Sequence, residues 1–190
     1  MPRLFSAIEL PDDVRGELQQ LHLPLPNARW LRPQDYHLTL RFAGDIDHSL
    51  AREFSANLAG IDFDAFSIRL AGLGAFGGND PHNVWVGVEP SHELEVLARA
   101  HEKAARNAGL PPDKRMFKPH VTLARLKYSS AEAVARFFAR FGGYRSDPIY
   151  ISEFVLMSSK PLTGGGPYGA VESFPLRGGV FTADEDGAFG

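Results

Sequence analysis

The sequence predicts a two-lobed fold of mixed strands and helices, with the lobes related by an approximate twofold axis. Three observations carry that expectation. A strand-helix-strand-helix-strand order occurs twice within 190 residues, each copy holds one His-x-Thr-apolar motif, and the copies keep a constant offset. His37 and His120 are 83 residues apart, as are Ile68 and Ile151 in the closing strands.

The elements follow in order. Residues 3–9 (RLFSAIE) read as a strand, and 12–22 as a helix opened by Asp12 with Val14, Leu18 and Leu21 on one face. A strand over 36–43 (YHLTLRFA), a helix over 48–58 and a strand over 64–72 complete the first unit. The second unit has a strand over 83–89, a helix over 91–108 capped by Ser91, a strand over 119–126, a helix over 130–141 and a strand over 148–157. The glycine-rich stretches 72–80 and 159–169 are expected as loops at the rim of the cleft, and 178–190 as a mostly disordered acidic tail after one bilobal domain over 1–177. Trp30 and Trp85 are expected in the core.

Composition narrows the chemistry. A hydrophobic content of 44% is ample for a globular interior, and no apolar run reaches the length of a membrane span. The N-terminus turns acidic too soon for a signal peptide, so a cytoplasmic protein is expected. The absence of cysteine rules out disulfides, thiolate metal sites and cysteine nucleophiles. The net charge of −3 offers no global attraction to nucleic acid, yet 112–127 gathers Lys114, Arg115, Lys118, Arg125 and Lys127 against Asp113 alone, as either a local basic patch or a solvated face.

In a strand alternate side chains share a face, so His37, Thr39 and Arg41 point one way while Leu38, Leu40 and Phe42 point the other. His120 and Thr122 repeat the pattern, with Val121 and Leu123 behind them. Twofold symmetry then gathers two imidazoles and two hydroxyls in one cleft. Displacing one oxygen of a phosphodiester needs a base for the incoming water and an acid for the departing alkoxide, and two histidines supply both near neutral pH. Threonine hydroxyls can donate to non-bridging oxygens, and Arg41 and Arg125 add charge and a fork of donors. One histidine beside a threonine is ordinarily a structural residue; two at equivalent places of a repeat are not so explained. His22, His48, His82, His92 and His101 lack that setting and read as surface or structural. With no acid on either motif face, a metal would find two strand ligands where catalytic zinc takes three, so no metal is expected.

These residues resemble a known family, the two-histidine phosphoesterases, and within it the RNA 2′,3′-cyclic phosphodiesterases also called 2′-5′ RNA ligases. The resemblance spans 3 to about 177 and rests on RLFSAIELP, RWLRPQDYHLTLRFAGDI, LAGLGAFGG, KPHVTLARL and SSKPLTGGGPYGAVESFPL. It implies an α+β fold with two antiparallel sheets around a central cleft. It also implies hydrolysis of an RNA 3′-terminal cyclic phosphate to a 2′-phosphate, with no metal or nucleotide cofactor. His37 would protonate the departing 3′-oxygen and His120 would activate water. Thr39 and Thr122 would hold the phosphate, and Arg125 would bind substrate. The ligase name reflects the reverse reaction, in which a 5′-hydroxyl replaces water.

Strict alternation puts Arg125 on the face opposite His120, so either a bulge after Leu123 turns it inward or Arg41 is the phosphate ligand. Phe42, Phe76 and Phe117 could stack on a terminal base, though core packing is the ordinary fate of such aromatics. Gly164–Gly166 invite comparison with a phosphate-cradling loop, but with no helix after them a flexible turn is the default. Two rival functions share the motifs: a phosphodiesterase acting on small nucleotides, and a non-catalytic nucleotide-binding module. A monomer is expected, because the repeat already places a twofold cleft within one chain.

Overall fold

Alternation of apolar side chains builds the strands, and local caps set the helices. The computed structural model describes residues 3–22, 24–159 and 168–178. Its elements are β1 (Arg3–Glu9), α1 (Asp12–Gln19), β2 (Ala28–Trp30), a 3-10 turn (Pro33–Asp35), β3 (His37–Asp45), α2 (His48–Ala59), β4 (Phe66–Ile68) and β5 (Leu70–Phe76). There follow β6 (Asn83–Val88), α3 (His92–Ala108), β7 (His120–Leu126), α4 (Ala131–Phe141), β8 (Ile149–Ile151), β9 (Glu153–Ser159) and β10 (Tyr168–Pro175). The side chains of Asp47, Ser91 and Ser130 accept from the amides of Leu50, Leu94 and Ala133, which satisfies an orphan donor at the start of α2, α3 and α4. Gly109 closes α3 at φ 107°, where a side chain would be strained. The helix expected to reach residue 22 stops at Gln19, after which the amides of Gln20 and Leu21 form tight turns onto Glu17 and Leu18.

Seven strands run in the order β10-β9-β1-β3-β7-β6-β5, all antiparallel, and β2 joins the same sheet through β7. The expected α+β, two-lobed architecture is present, but the lobes are not the two halves of the sequence. β5 ends the first repeat yet pairs with β6 of the second, and β9 ends the second yet pairs with β1 of the first. Each expected closing strand is split where it leaves one lobe for the other, at Arg69 and at Ser152, again 83 residues apart. The short pieces before the breaks, β4 and β8, form a separate two-stranded sheet.

Two antiparallel pairs fix the pseudo-twofold axis. Leu38 pairs with Val121 and Ser67 with Tyr150, and each pair joins a residue to its own counterpart 83 positions on. Leu38 and Val121 are fully buried, in a core shared with Phe54 and Leu58 of α2, Leu94 and Leu97 of α3 and Phe137 of α4. The opposite face of β1 and β9 carries a smaller cluster of Phe5, Ala7, Val155 and Met157, with Tyr168 packed on it. The symmetry fails beside β3. Residues 111–113, equivalent to β2, begin with two prolines that have no amide hydrogen for a ladder, and they form no strand.

Much of the expected loop 72–80 is strand, since β5 continues to Phe76. Of the loop expected over 159–169, Ser159, Tyr168 and Gly169 are strand residues. Residues 160–167, Gly164–Gly166 among them, lie outside the described residues, as does the expected tail from 179. Among the described residues no helix is long and apolar enough to cross a membrane.

His101 sits in this core as a structural residue. It is completely buried, its Nδ1 is 2.7 Å from the Ser6 hydroxyl and its ring lies edge-on to Phe154. Burial pushes its pKa down to about 3. The unfolded chain takes up a proton at this imidazole near the ordinary value of 6.5, whereas the folded chain does not until about pH 3. Stability from His101 is therefore complete above pH 6.5 and lost as pH falls through that window, at up to about 1.4 kcal/mol per pH unit. Denaturant titrations of wild type and His101→Gln should show that extra slope in the wild type alone; parallel curves would mean that the buried ring is not held neutral.

Candidate active site

Both motif strands carry a β-bulge at the same place. The β1–β3 register slips between Ser6 and Ala7, where Leu40 is the extra residue, and the β6–β7 register slips between Val84 and Trp85, where Leu123 is the extra residue. A bulge puts two successive side chains on one side of the strand and inverts alternation beyond it. Thus Leu40 and Arg41 are both buried on the helix side, as are Leu123 and Ala124, while Phe42 and Arg125 come round to the cleft. Arg125 therefore joins His120 and Thr122.

Arg41 does not join His37, which corrects its expected role. Its guanidinium donates from Nε to the Glu102 carboxylate and from its terminal nitrogens to the Phe42 and Pro111 carbonyls. Glu102 in turn accepts from the Asp113 amide at 3.2 Å. Arg41 is a buried tie between β3, α3 and the following loop, with each of its three nitrogens bonded to one of these partners.

The two histidines are held alike. His37 Nδ1 lies 2.8 Å from the Asp35 carbonyl, and His120 Nδ1 lies 2.7 Å from the Lys118 carbonyl, in each case two residues back. A carbonyl only accepts, so each Nδ1 carries the hydrogen and each Nε2 is left to act in the cleft. The antiparallel run from the Leu38–Val121 pair sets His37, Thr39, His120 and Thr122 on its other face.

Aromatic walls desolvate both rings. His37 packs on Phe5 and Tyr168 with centroids at 4.8 Å, and His120 on Phe76 at 5.0 Å and Trp85 at 5.6 Å. This burial pushes the His37 pKa down to about 4; the Asp35 carbonyl and carboxylate oppose the shift, and the positive charges of His120 and Arg125 add to it. His120 is lowered too, chiefly by burial, with the Lys118 carbonyl opposing and the Lys118 ammonium assisting. Tyr168 spans the lobes, its ring edge on His37 and its hydroxyl 3.3 Å from Arg125 Nη2.

The aromatics differ from expectation. Trp85 is buried, but as a wall of the cleft, with its ring laid across Gly74 so closely that an added Cβ would lie 2.2 Å from it. Phe76 is half-buried against His120, Phe42 is 39% exposed, and Phe117 and Trp30 pack on the main core. Phe5, Tyr168 and Asp35 were not singled out in the sequence. For Phe5 the signal was there, since alternation in RLFSAIE sets Phe5 and Ala7 opposite Leu4 and Ile8. Among the described residues no group of three or more His, Asp or Glu is placed to hold a metal ion.

Two imidazoles with equivalent tautomers face one cleft across a twofold axis with a guanidinium beside them, an arrangement whose donors and charge suit a phosphoester. Comparison with known proteins gives the family. The LigT-like phosphoesterase model matches the chain twice in succession, over 8–86 and 86–168, so each repeat is one copy of the family unit. The chain belongs to that family. It is 37% identical over 157 residues to a protein of Aeropyrum pernix, covering 81% of this chain and 87% of the relative, and 33% identical to one of Aquifex aeolicus, covering 80% and 83%. Both relatives are named RNA 2′,3′-cyclic phosphodiesterase. Among solved structures, Thermus thermophilus TT0787 superposes with a TM-score of 0.76 at 26% identity, over 93% of this chain and 98% of that one. Escherichia coli LigT in its apo form gives 0.74 at 27%, over 92% and 98%.

The two arginines should separate cleanly. Arg41→Met leaves Glu102 without its partner and should cost about 3 kcal/mol in denaturant unfolding, whereas Arg125→Met, at an exposed position, should stay within about 0.5 kcal/mol of wild type. Equal losses would contradict this division.

Proposed function

We propose that the cleft hydrolyses the 2′,3′-cyclic phosphate at RNA 3′ ends to a 2′-phosphate, using two histidines and no metal. The observation that carries this reading is the paired lock on Nδ1, which leaves two Nε2 atoms on opposite sides of one twofold cleft. His120 Nε2 takes a proton from water as the oxygen bonds to phosphorus. The bond from phosphorus to the 3′-oxygen breaks, and His37 Nε2 gives that oxygen its proton. Thr39, Thr122 and Arg125 hold the non-bridging oxygens, where donors stabilise the charge that builds. With a 5′-hydroxyl in place of water as the nucleophile, the same steps in the same direction make a 2′-5′ linkage. The reading takes 1–177 as one bilobal domain, supported by the exchange of β5 and β9 between lobes, in a cytoplasmic monomer whose partner is RNA.

The depressed His37 pKa bears on this role. Without substrate His37 is mostly neutral above pH 4, and a bound phosphate anion raises its pKa by favouring imidazolium. The bell of kcat, which reports the complex, should therefore be displaced to higher pH than that of kcat/KM, which reports the free enzyme. Coincident limbs would show that substrate does not charge His37.

The direct test is an RNA oligonucleotide ending in a 2′,3′-cyclic phosphate, incubated in EDTA, with the terminal phosphate then assigned as 2′ or 3′. A 2′-phosphate is expected, at the same rate with and without the chelator. His37→Ala and His120→Ala should each lower kcat by about 10²–10⁴-fold with unchanged circular dichroism. Appreciable turnover by either variant removes the mechanism, and EDTA inhibition reversed by zinc restores a metal.

A further inference from the structure

The two histidines are so alike in fold and tautomer that nothing in their immediate geometry says which is acid and which is base. The nearby charges do differ. Asp35 and Lys118 are equivalent residues of the two repeats, each supplying the carbonyl that locks its histidine, yet one bears a carboxylate and the other an ammonium. We propose that Asp35 and Lys118 assign the roles, with the carboxylate holding the shared proton on His37 and the ammonium keeping it off His120. The proposal rests on the two-histidine reaction above.

The charges two residues before the two rings are opposite in sign, and the other groups around each ring are as follows. Asp35 is buried, with its carboxylate 2.9 Å from Arg32 Nε and its Oδ1 3.4 Å from the Tyr168 amide, while Arg32 itself reaches out to solvent. On β1, Glu9 is directly opposite His37 in register. The positive neighbours of His37 are His120 and Arg125 from β7, and the phenol of Tyr168 faces it from β10. Around His120 the corresponding place on β6 is Gly87, and Phe76 of β5 and Trp85 of β6 are neutral. Its charged neighbours are Arg125 on the same face of β7, His37 across the axis, and Lys118, whose Nζ lies 5.1 Å from the Trp85 ring centroid and 5.9 Å from that of Phe76, the two walls of His120. Burial disfavours the charged form of both rings, and in His37 it outweighs Asp35 while the cleft is empty. A bound phosphate sits between the histidines and favours a proton on either, so the fixed charges on the two sides decide which one carries it. Both are positioning residues, because neither the carboxylate nor the ammonium has to touch the substrate.

The test is the pH profile of kcat on the cyclic-phosphate RNA. Asp35→Asn removes a negative charge beside the acid and should move the descending limb about one pH unit lower. Lys118→Met removes a positive charge beside the base and should move the ascending limb about one unit higher. Asp35→Glu and Lys118→Arg should restore each limb. Arg32→Gln breaks the same ion pair as Asp35→Asn but leaves the carboxylate less compensated, so its descending limb should stay or rise; a purely structural role for the pair would make the two variants alike. If Asp35→Asn does not fold, Lys118→Met on an exposed side chain still reads the ascending limb. Limbs within about 0.3 units of wild type in the folded variants overturn the assignment. Loss of turnover in His37→Ala and His120→Ala with unmoved limbs sinks this inference alone, whereas turnover in either alanine variant sinks the reaction on which it rests.

Discussion

The pairing of Leu38 with Val121 is the contact on which the rest depends. It is the only β3–β7 pair in the ladder, it is buried, and it lies on the pseudo-twofold axis. An antiparallel pair on a twofold axis brings the neighbours of each residue to the neighbours of its counterpart. The residues one step away, His37, Thr39, His120 and Thr122, thus share a face because of one apolar contact that takes no part in chemistry. The exchange of β5 and β9 then locks the two half-sheets together, since neither repeat completes a lobe by itself.

The bulges at Leu40 and Leu123 do the remaining work of assembly. Without them each strand would keep strict alternation and the arginine of the second motif would be sent into the core. The extra residue resets the phase just past the threonine, which lets one strand present His and Thr on one side and still bring the residue five beyond the histidine to that side. Arg125 reaches the cleft in this way, and Phe42 does so at the equivalent place.

That is also where legibility in the sequence stops. Period-two alternation and a constant offset of 83 are enough to read the repeat, the strands carrying His37 and His120, and their common face, because those follow from spacing alone. A bulge has no such signature in HLTLRFA or HVTLARL, so alternation assigns Arg41 to the cleft and leaves Arg125 undecided. Burial of Arg41 is paid for by Glu102 and two carbonyls from segments far along the chain, a tertiary circumstance that local pattern does not encode. The strand exchange escapes for the same reason: Arg69 and Ser152, where the chain changes lobes, are ordinary residues within continuous apolar runs. The walls of the cleft were partly readable, since Phe5 follows from alternation, but Tyr168 reaches His37 only through β10, for which no strand was expected.

A duplicated scaffold gives symmetry at no further cost, but an acid and a base must differ. Here the features that hold each ring in place are duplicated in the carbonyl on Nδ1 and the bulge, while aromatic walls line both rings from non-equivalent positions. The features that differ are substitutions around that frame. Arg125 stands where the first repeat has Phe42, Lys118 where it has Asp35, and the proline pair at 111–112 where it has the start of β2. The first two change charge while the lock on each histidine is the same, because the locking groups are main-chain carbonyls and the rings beside them are apolar. Backbone symmetry thus sets where the two imidazoles stand, and side-chain asymmetry sets what distinguishes them. A charge two residues from a histidine is well suited to that task, being close enough to bias a proton and tied to a position whose carbonyl is already committed to the ring.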